Sequence, residues 1–293
     1  MGECKLLSHS SSGEVRALAA LILNYAVLSW LRYLLLAAYE IMGYDRSMNK
    51  VTPSMSSIIA HRGASAYAPE NTLVAIQMAY EMGARTIECE VSCTKDNQLV
   101  VFHDPTLAKK TAIRGRLQDM TWPYVSMLDV GSWFGQGFES VCIPRLSQVL
   151  GLCGELGVTL NLDIKCDRQC PRLMAQILIH DLAIFWKLGF DKLIVSSESL
   201  SFLNHLRSLA PQLPLGLIAS RFNPKTLKPL KAIYAYSFHL NGQFLTKTDI
   251  QIMLGHGFKV MAYTINDPEK AQALFDMGVC AVFTDAPDLM NQP

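Results

Sequence analysis

From Ile58 onward the chain alternates short β-branched apolar runs with longer amphipathic stretches, a pattern that few folds accept. The runs read SIIAH, TIECEV, LVVFH, TLNLDI, KLIVSS, PLGLIA, YSFHL, KVMAYT and CAVFT. Alternation of this kind builds a parallel sheet wrapped by helices. Nine runs are one too many for an eight-stranded barrel. The connection SCTKDNQ, between the second and third runs, removes the excess. A parallel crossover needs a dozen residues or more, so these two runs must form an antiparallel hairpin. LVVFH is then an extension folded back over the barrel mouth. With Asp96 and Asn97 as the two central turn residues, Glu90 is expected directly opposite His103.

The expected fold is therefore a (β/α)8 TIM barrel, and 293 residues suit one such domain. The stretch from Thr106 to Pro144, with its Gly, Trp and basic residues, is expected to form a short cap inserted over the mouth. The first helix has readable ends: Asn71 or Thr72 caps it and Gly83 follows its last turn. Leu73, Ile76, Ala79 and Tyr80 form its expected buried stripe. Hydrophobic residues make up 50% and charged residues 17%, so a large core is available. A net charge of +1 offers no basic field for nucleic acid, and function must come from a local site. The eight cysteines are scattered, which argues against a disulfide framework. Neither Cys89/Cys93 nor Cys166/Cys170 has C-x-x-C spacing, so buried thiols in a reducing cytosol are favoured over a cysteine metal site.

Chemistry concentrates at the tips of the first runs. His61-Arg62-Gly63 closes the first, Glu88-Cys89-Glu90 lies in the second, and His103-Asp104 closes the third. Histidine is the side chain best suited to move protons near neutral pH. Alternate carboxylates on a strand share one face, and Glu88 and Glu90 in an apolar strand would be costly without a partner, which a divalent cation supplies. Cys89 faces the other way. Arg62 offers a fork that matches a phosphate, with Gly63 leaving room at the backbone and Glu70 as a competing ion-pair partner. The combination points to metal-assisted phosphoester chemistry.

The run from Ile58 to Leu107 strongly resembles the glycerophosphodiester phosphodiesterase family. GSWF at Gly131, IPRLSQVL at Ile143, LNLDIK at Leu160, VSS at Val195, HLN at His239, AYTIND at Ala262 and VFTDAPD at Val282 continue the resemblance in order. The match is nearest to the compact cytosolic bacterial members. It implies divalent-metal-dependent hydrolysis of glycerophosphodiesters to sn-glycerol 3-phosphate and an alcohol. His61 and His103 would be the acid/base pair, Arg62 and Lys165 would bind phosphate, and Glu88, Glu90 and Asp163 would hold one cation. Magnesium is the expected ion, with calcium or manganese as alternatives. The family usually carries Glu-x-Asp where this chain has Glu88-x-Glu90, and glutamate where it has Asp163, so the carboxylate count is kept while reach changes. Tyr263, Trp133 and Phe134 are candidates to flank the glycerol, and His239 with Asn241 to line the mouth.

Residues 1–54 resemble nothing in the family and form an apolar extension and linker ahead of a barrel domain at 55–293. Residues 17–42 are long enough to span a bilayer, but Asn24, Arg32 and Glu40 interrupt them. They are the only expected route to a membrane. The expectation is a cytoplasmic enzyme with a small-molecule substrate, for which residues 1–54 are dispensable and a start at Met55 suffices. Two rival readings are a membrane-anchored lysophospholipase D-like phosphodiesterase, which needs an apolar path to the site, and a catalytically weak phosphodiester-binding protein.

Overall fold

The computed structural model describes residues 51–166 and 170–290. All nine expected runs are strands: β1 (Ile58–Ala60), β2 (Thr86–Cys93), β3 (Leu99–Val101), β4 (Thr159–Ile164), β5 (Leu193–Ser197), β6 (Leu215–Ala219), β7 (Ser237–Asn241), β8 (Lys259–Tyr263) and β9 (Ala281–Thr284). Eight are parallel and follow one another around the sheet as β1-β9-β8-β7-β6-β5-β4-β2. β1 pairs with β2 as well as with β9, so the sheet closes into a barrel. Only β3 runs antiparallel, on β2. Ile59, Ile194, Met261, Ala281 and Phe283 come from staves on different sides of the barrel and meet in its interior.

The hairpin turn is one residue longer than the sequence reading has it. Val91 pairs with Val101 and Cys93 with Leu99. Lys95, Asp96 and Asn97 form the loop, with Asn97 in the left-handed region at φ 60°. Asn97 N donates to Thr94 O, and Thr94 N to Gln98 O, both at 3.0 Å. This is the three-residue alternative to a two-residue turn: a type I turn closed by a left-handed residue. Thr94 favours it, since its hydroxyl bonds Asp96 Oδ1 at 2.6 Å and accepts from Gln98 N at 3.0 Å. The register moves by one, and Phe102 rather than His103 lies opposite Glu90, with Phe102 N donating to Glu90 O at 2.9 Å.

The first helix, Leu73–Glu81, is capped by Thr72, whose hydroxyl accepts from Ala75 N at 3.2 Å. Its buried residues are Ala75, Ile76 and Ala79, while Leu73 and Tyr80 are only partly covered. The helix sits with Ala75 against the loop after β1. A Cβ on Gly63 would lie 2.6 Å from the Ala75 carbonyl. Gly63, at φ 80°, thus lets the helix approach; this close packing is the role the structure shows for it.

Residues 106–144 form the cap, as expected. Leu107, Leu117, Val125, Leu128, Val130 and Ile143 pack with Val100 and Phe102 of the hairpin into a separate small core. The hairpin tip is tied to it by Lys95 N to Met120 O and Trp122 N to Asp96 Oδ1, both 2.9 Å. Asp129 knots its outer loop by accepting from Gly131 N, Ser132 N and Ser140 N at 2.8, 2.8 and 2.9 Å.

At the start of the described chain, Pro53 is buried. Ser54 N donates to Asp191 O at 2.7 Å, and the Thr159 hydroxyl donates to Ser54 O. The barrel therefore engages residues ahead of Met55. Residues 17–42 lie outside the described residues. No helix among the described residues is long and apolar enough to cross a membrane.

Candidate active site

The parallel register brings the carboxylates together. Glu90 is the direct partner of Asp163 across β2 and β4, and Glu88 precedes Glu90 on the same face. Carboxylate oxygens of Glu88, Glu90 and Asp163 all lie within 4.8 Å of one another, and all three residues are buried. Cys89 faces away and is also buried, its thiol pushed up by burial and then by Cys153. Arg62 and Lys165 follow the ends of β1 and β4. Arg62 Nε lies 2.8 Å from Glu90 Oε2 and its Nη1 3.0 Å from Glu70 Oε1. Lys165 Nζ lies 2.6 Å from Asp163 Oδ2 and 3.1 Å from Glu90 Oε1. The two cations approach Glu90 together, so an anion entering there meets a fork and a point charge at once.

Arg62 is in the left-handed region at φ 58°, a conformation that costs about 1–2 kcal/mol for a residue with a Cβ. The turn points its N–H at Glu88 Oε2, 2.9 Å away. Strain here orients a carboxylate of the site.

His61 and His103 stand on either side. His61 Nδ1 is 2.7 Å from Asp285 Oδ1. His103 Nε2 is 3.6 Å from Glu90 Oε1, and its Nδ1 is 3.2 Å from Asp104 Oδ1. The expected neighbourhood of Glu90 and His103 is thus present, although not through the expected pairing. The pairing with β2 extends to Phe102 and stops there, one residue before His103, so the one-residue shift does not fix where the imidazole lies.

The charges are uneven. Burial pushes Glu88 up to about 7, against the pull of His61 and with help from Glu90 and Asp163. Burial likewise raises Asp163 to about 6, despite Lys165 beside it. Glu90 goes the other way, to about 2: burial is outweighed by Lys165, Arg62 and His103. Burial would lower the His61 imidazole, but the hydrogen bond it donates to Asp285 and the charge of Glu88 hold it above its ordinary value. His103 is lowered, chiefly by burial, with Arg62 and Lys165 adding to the effect against Glu90.

The carboxylate set fits a divalent cation. Three oxygen donors converge, two of them are kept from ionising fully by burial and mutual repulsion, and Asp163 Oδ1 is buried without a hydrogen-bond partner. Glu70, His103 and Asp104 form a second convergent group. It is less buried than the first, and only the first contains a buried carboxylate oxygen, Asp163 Oδ1, without a hydrogen-bond partner among the described residues. We place the candidate ion at the first group.

Two residues escaped the sequence reading. Asp285 accepts from the Ser65 hydroxyl at 2.9 Å and from Asn266 Nδ2 at 2.8 Å, and is thereby fixed against His61. The signal was there: barrel closure makes β1 and β9 neighbours, Ala60 pairs with Thr284, and the next residues are His61 and Asp285. Asn71 is, with Thr72, one of two helix-cap candidates in the sequence. At φ 60° it instead clamps Glu90, with Nδ2 donating to Oε2 at 3.1 Å and Oδ1 accepting from Glu90 N at 3.0 Å. His239 does not line the mouth. It is buried, 2.9 Å from the Ser237 hydroxyl, and burial lowers it to about 3. Tyr263 is half-buried at the mouth, and Trp133 stacks under Lys110.

Residues 61–289 match the Glycerophosphoryl diester phosphodiesterase family. The glycerophosphodiester phosphodiesterase of Bacillus subtilis (strain 168) is 29% identical over 293 residues, covering 94% of this chain and 97% of that one. The glycerophosphodiester phosphodiesterase of Caldanaerobacter subterraneus is 30% identical over 234 residues, covering 80% and 95%. A solved structure of an Oleispira antarctica phosphodiesterase, in complex with the product sn-glycerol-3-phosphate, is similar with a TM-score of 0.77 at 29% identity, covering 80% of this chain and 95% of that one. With the closed barrel, the ordered motifs and these relatives agreeing, the chain belongs to the glycerophosphoryl diester phosphodiesterase family.

Proposed function

We propose that this chain hydrolyses glycerophosphodiesters to sn-glycerol 3-phosphate and an alcohol, using one divalent cation and the histidine pair His61 and His103. The observation that carries the reading is the convergence of two imidazoles, two side-chain cations and three buried carboxylates at one end of the barrel. Glu88, Glu90 and Asp163 would hold the ion, magnesium in preference to calcium or manganese. When bound, it supplies charge neutralisation and polarisation of the phosphoryl group.

The chain's own residues do the rest. Arg62 and Lys165 bind the non-bridging phosphate oxygens and offset the charge that builds on them during displacement. One imidazole takes the proton of the attacking hydroxyl; the other donates a proton to the leaving alkoxide. Asp285 holds His61 through Nδ1, which leaves Nε2 as the atom that exchanges a proton with the substrate. Asn71 holds Glu90 by two hydrogen bonds, so the carboxylate does not follow Arg62 when that side chain meets phosphate. Among the described residues, the cleft beside the site is lined by the charged or polar side chains Arg62, Glu70, His103, Asp104, Lys109 and Lys110, which do not favour an acyl chain. A small water-soluble diester suits it, and a cytoplasmic location accords with the scattered cysteines. The test is release of glycerol 3-phosphate from several glycerophosphodiesters. Binding of glycerol 3-phosphate without turnover of any diester would replace the reading with a binding function.

A further inference from the structure

The cleft is about 430 Å³, which is more than a phosphate needs and within the range of small-ligand sites. Its wall therefore meets the rest of the substrate. Lys110 Nζ lies 3.2 Å from Glu70 Oε2 and 3.5 Å from the centroid of the Trp133 ring. Only 14% of the Lys110 side chain is exposed. Both partners are fixed. Trp133 Nε1 donates to Val130 O at 2.7 Å, and Phe134 packs edge-on at 5.5 Å. Glu70 is held by Arg62 at 3.0 Å.

A carboxylate beside a fixed indole face is the arrangement that captures an organic ammonium. Here the chain's own ammonium fills it. We propose that Lys110 is a built-in occupant of a cation site formed by Glu70 and Trp133, and that it sets head-group specificity by excluding substrates that carry a quaternary ammonium. The cleft is left to neutral polyol or anionic head groups. Its charges agree: Arg62, Lys109 and Lys110 outnumber Glu70 and Asp104. This inference rests on the proposed diesterase reading for its substrate, but the site itself has a test that needs no turnover.

The test compares kcat/KM for glycerophosphoglycerol and glycerophosphocholine in the full chain, and choline binding by isothermal titration calorimetry. The native chain should favour glycerophosphoglycerol by about tenfold, the scale of a cation–π contact. Lys110→Ala should raise kcat/KM for glycerophosphocholine by a similar factor and acquire choline binding. Adding Trp133→Leu to Lys110→Ala should abolish both gains. Choline binding to Lys110→Ala supports the site even in a chain that hydrolyses neither diester, a result that would overturn only the diesterase reading. A native preference for glycerophosphocholine, or a folded Lys110→Ala chain with an unchanged ratio and no choline binding, would overturn the inference. The native preference decides the matter if the variant does not fold.

Discussion

Asp163 Oδ1, buried and without a hydrogen-bond partner, and Asp285, pinned by Ser65 and Asn266, show what single residues contribute here. On the proposed mechanism, the first marks a cation position and the second orients a proton carrier. His61→Ala and His103→Ala should each reduce turnover by roughly 10²–10⁴-fold while the fold survives, as steady-state kinetics and circular dichroism would show. The activity profile should be bell-shaped, with one limb below and one above the ordinary histidine value of about 6.5, because His103 is lowered and His61 raised. Asp285→Asn removes a group that raises His61, so the alkaline limb should move to lower pH as kcat falls. An unmoved limb would detach Asp285 from the chemistry. His61, Arg62, Glu88, Glu90, His103, Asp163 and Lys165 gather at one end of the barrel, whereas His239 is buried beside Ser237. Asp285 was missed because its partner is more than two hundred positions away in the chain, a pairing that only barrel closure creates. Asn71 was missed because a helix-capping residue and a carboxylate clamp look the same in a linear pattern.

At the level of elements, strand number and direction follow from run length and connection length, and all nine runs are strands. Turn length did not follow, because Asp-Asn suits both a two-residue and a three-residue hairpin loop. The choice lay with Thr94, whose hydroxyl bonds reward the longer loop. The cap illustrates a device of a different kind. Its core is small, and Asp129 closes its outer loop. Hydrogen bonds from the Ser132 backbone and side chain, from Ser140 and from Gly131 hold the Asp129 carboxyl well below the usual carboxylate range. A carboxylate lowered on folding contributes stability above its unfolded value near 3.9, and that contribution is lost as pH falls. Asp129→Ala should therefore lower the melting temperature by a few degrees at pH 7, with the difference from the native chain narrowing below pH 4. A constant difference across that range would contradict the assignment.

For the whole molecule, the alternation of runs was enough to specify a barrel, because eight parallel strands with covering helices close in few other ways. The domain edge was less legible: Pro53 and Ser54 look like linker in the sequence, yet dock on the barrel. A chain beginning at Met48 should match the full chain in activity per molecule. A chain beginning at Met55 should remain active but melt at a lower temperature, having lost the Ser54 bonds to Asp191 and Thr159. Equal melting temperatures would show that those bonds contribute nothing.

On the proposed mechanism, diester hydrolysis depends on a divalent cation held by three buried carboxylates, Glu88, Glu90 and Asp163. The most direct measurement is glycerol 3-phosphate release in the presence of excess chelator, followed by addition of single metals. That dependence predicts loss of activity with chelator and recovery with magnesium, manganese or calcium, and little recovery in Glu90→Ala at metal levels that restore the native chain. Full activity in excess chelator would contradict it.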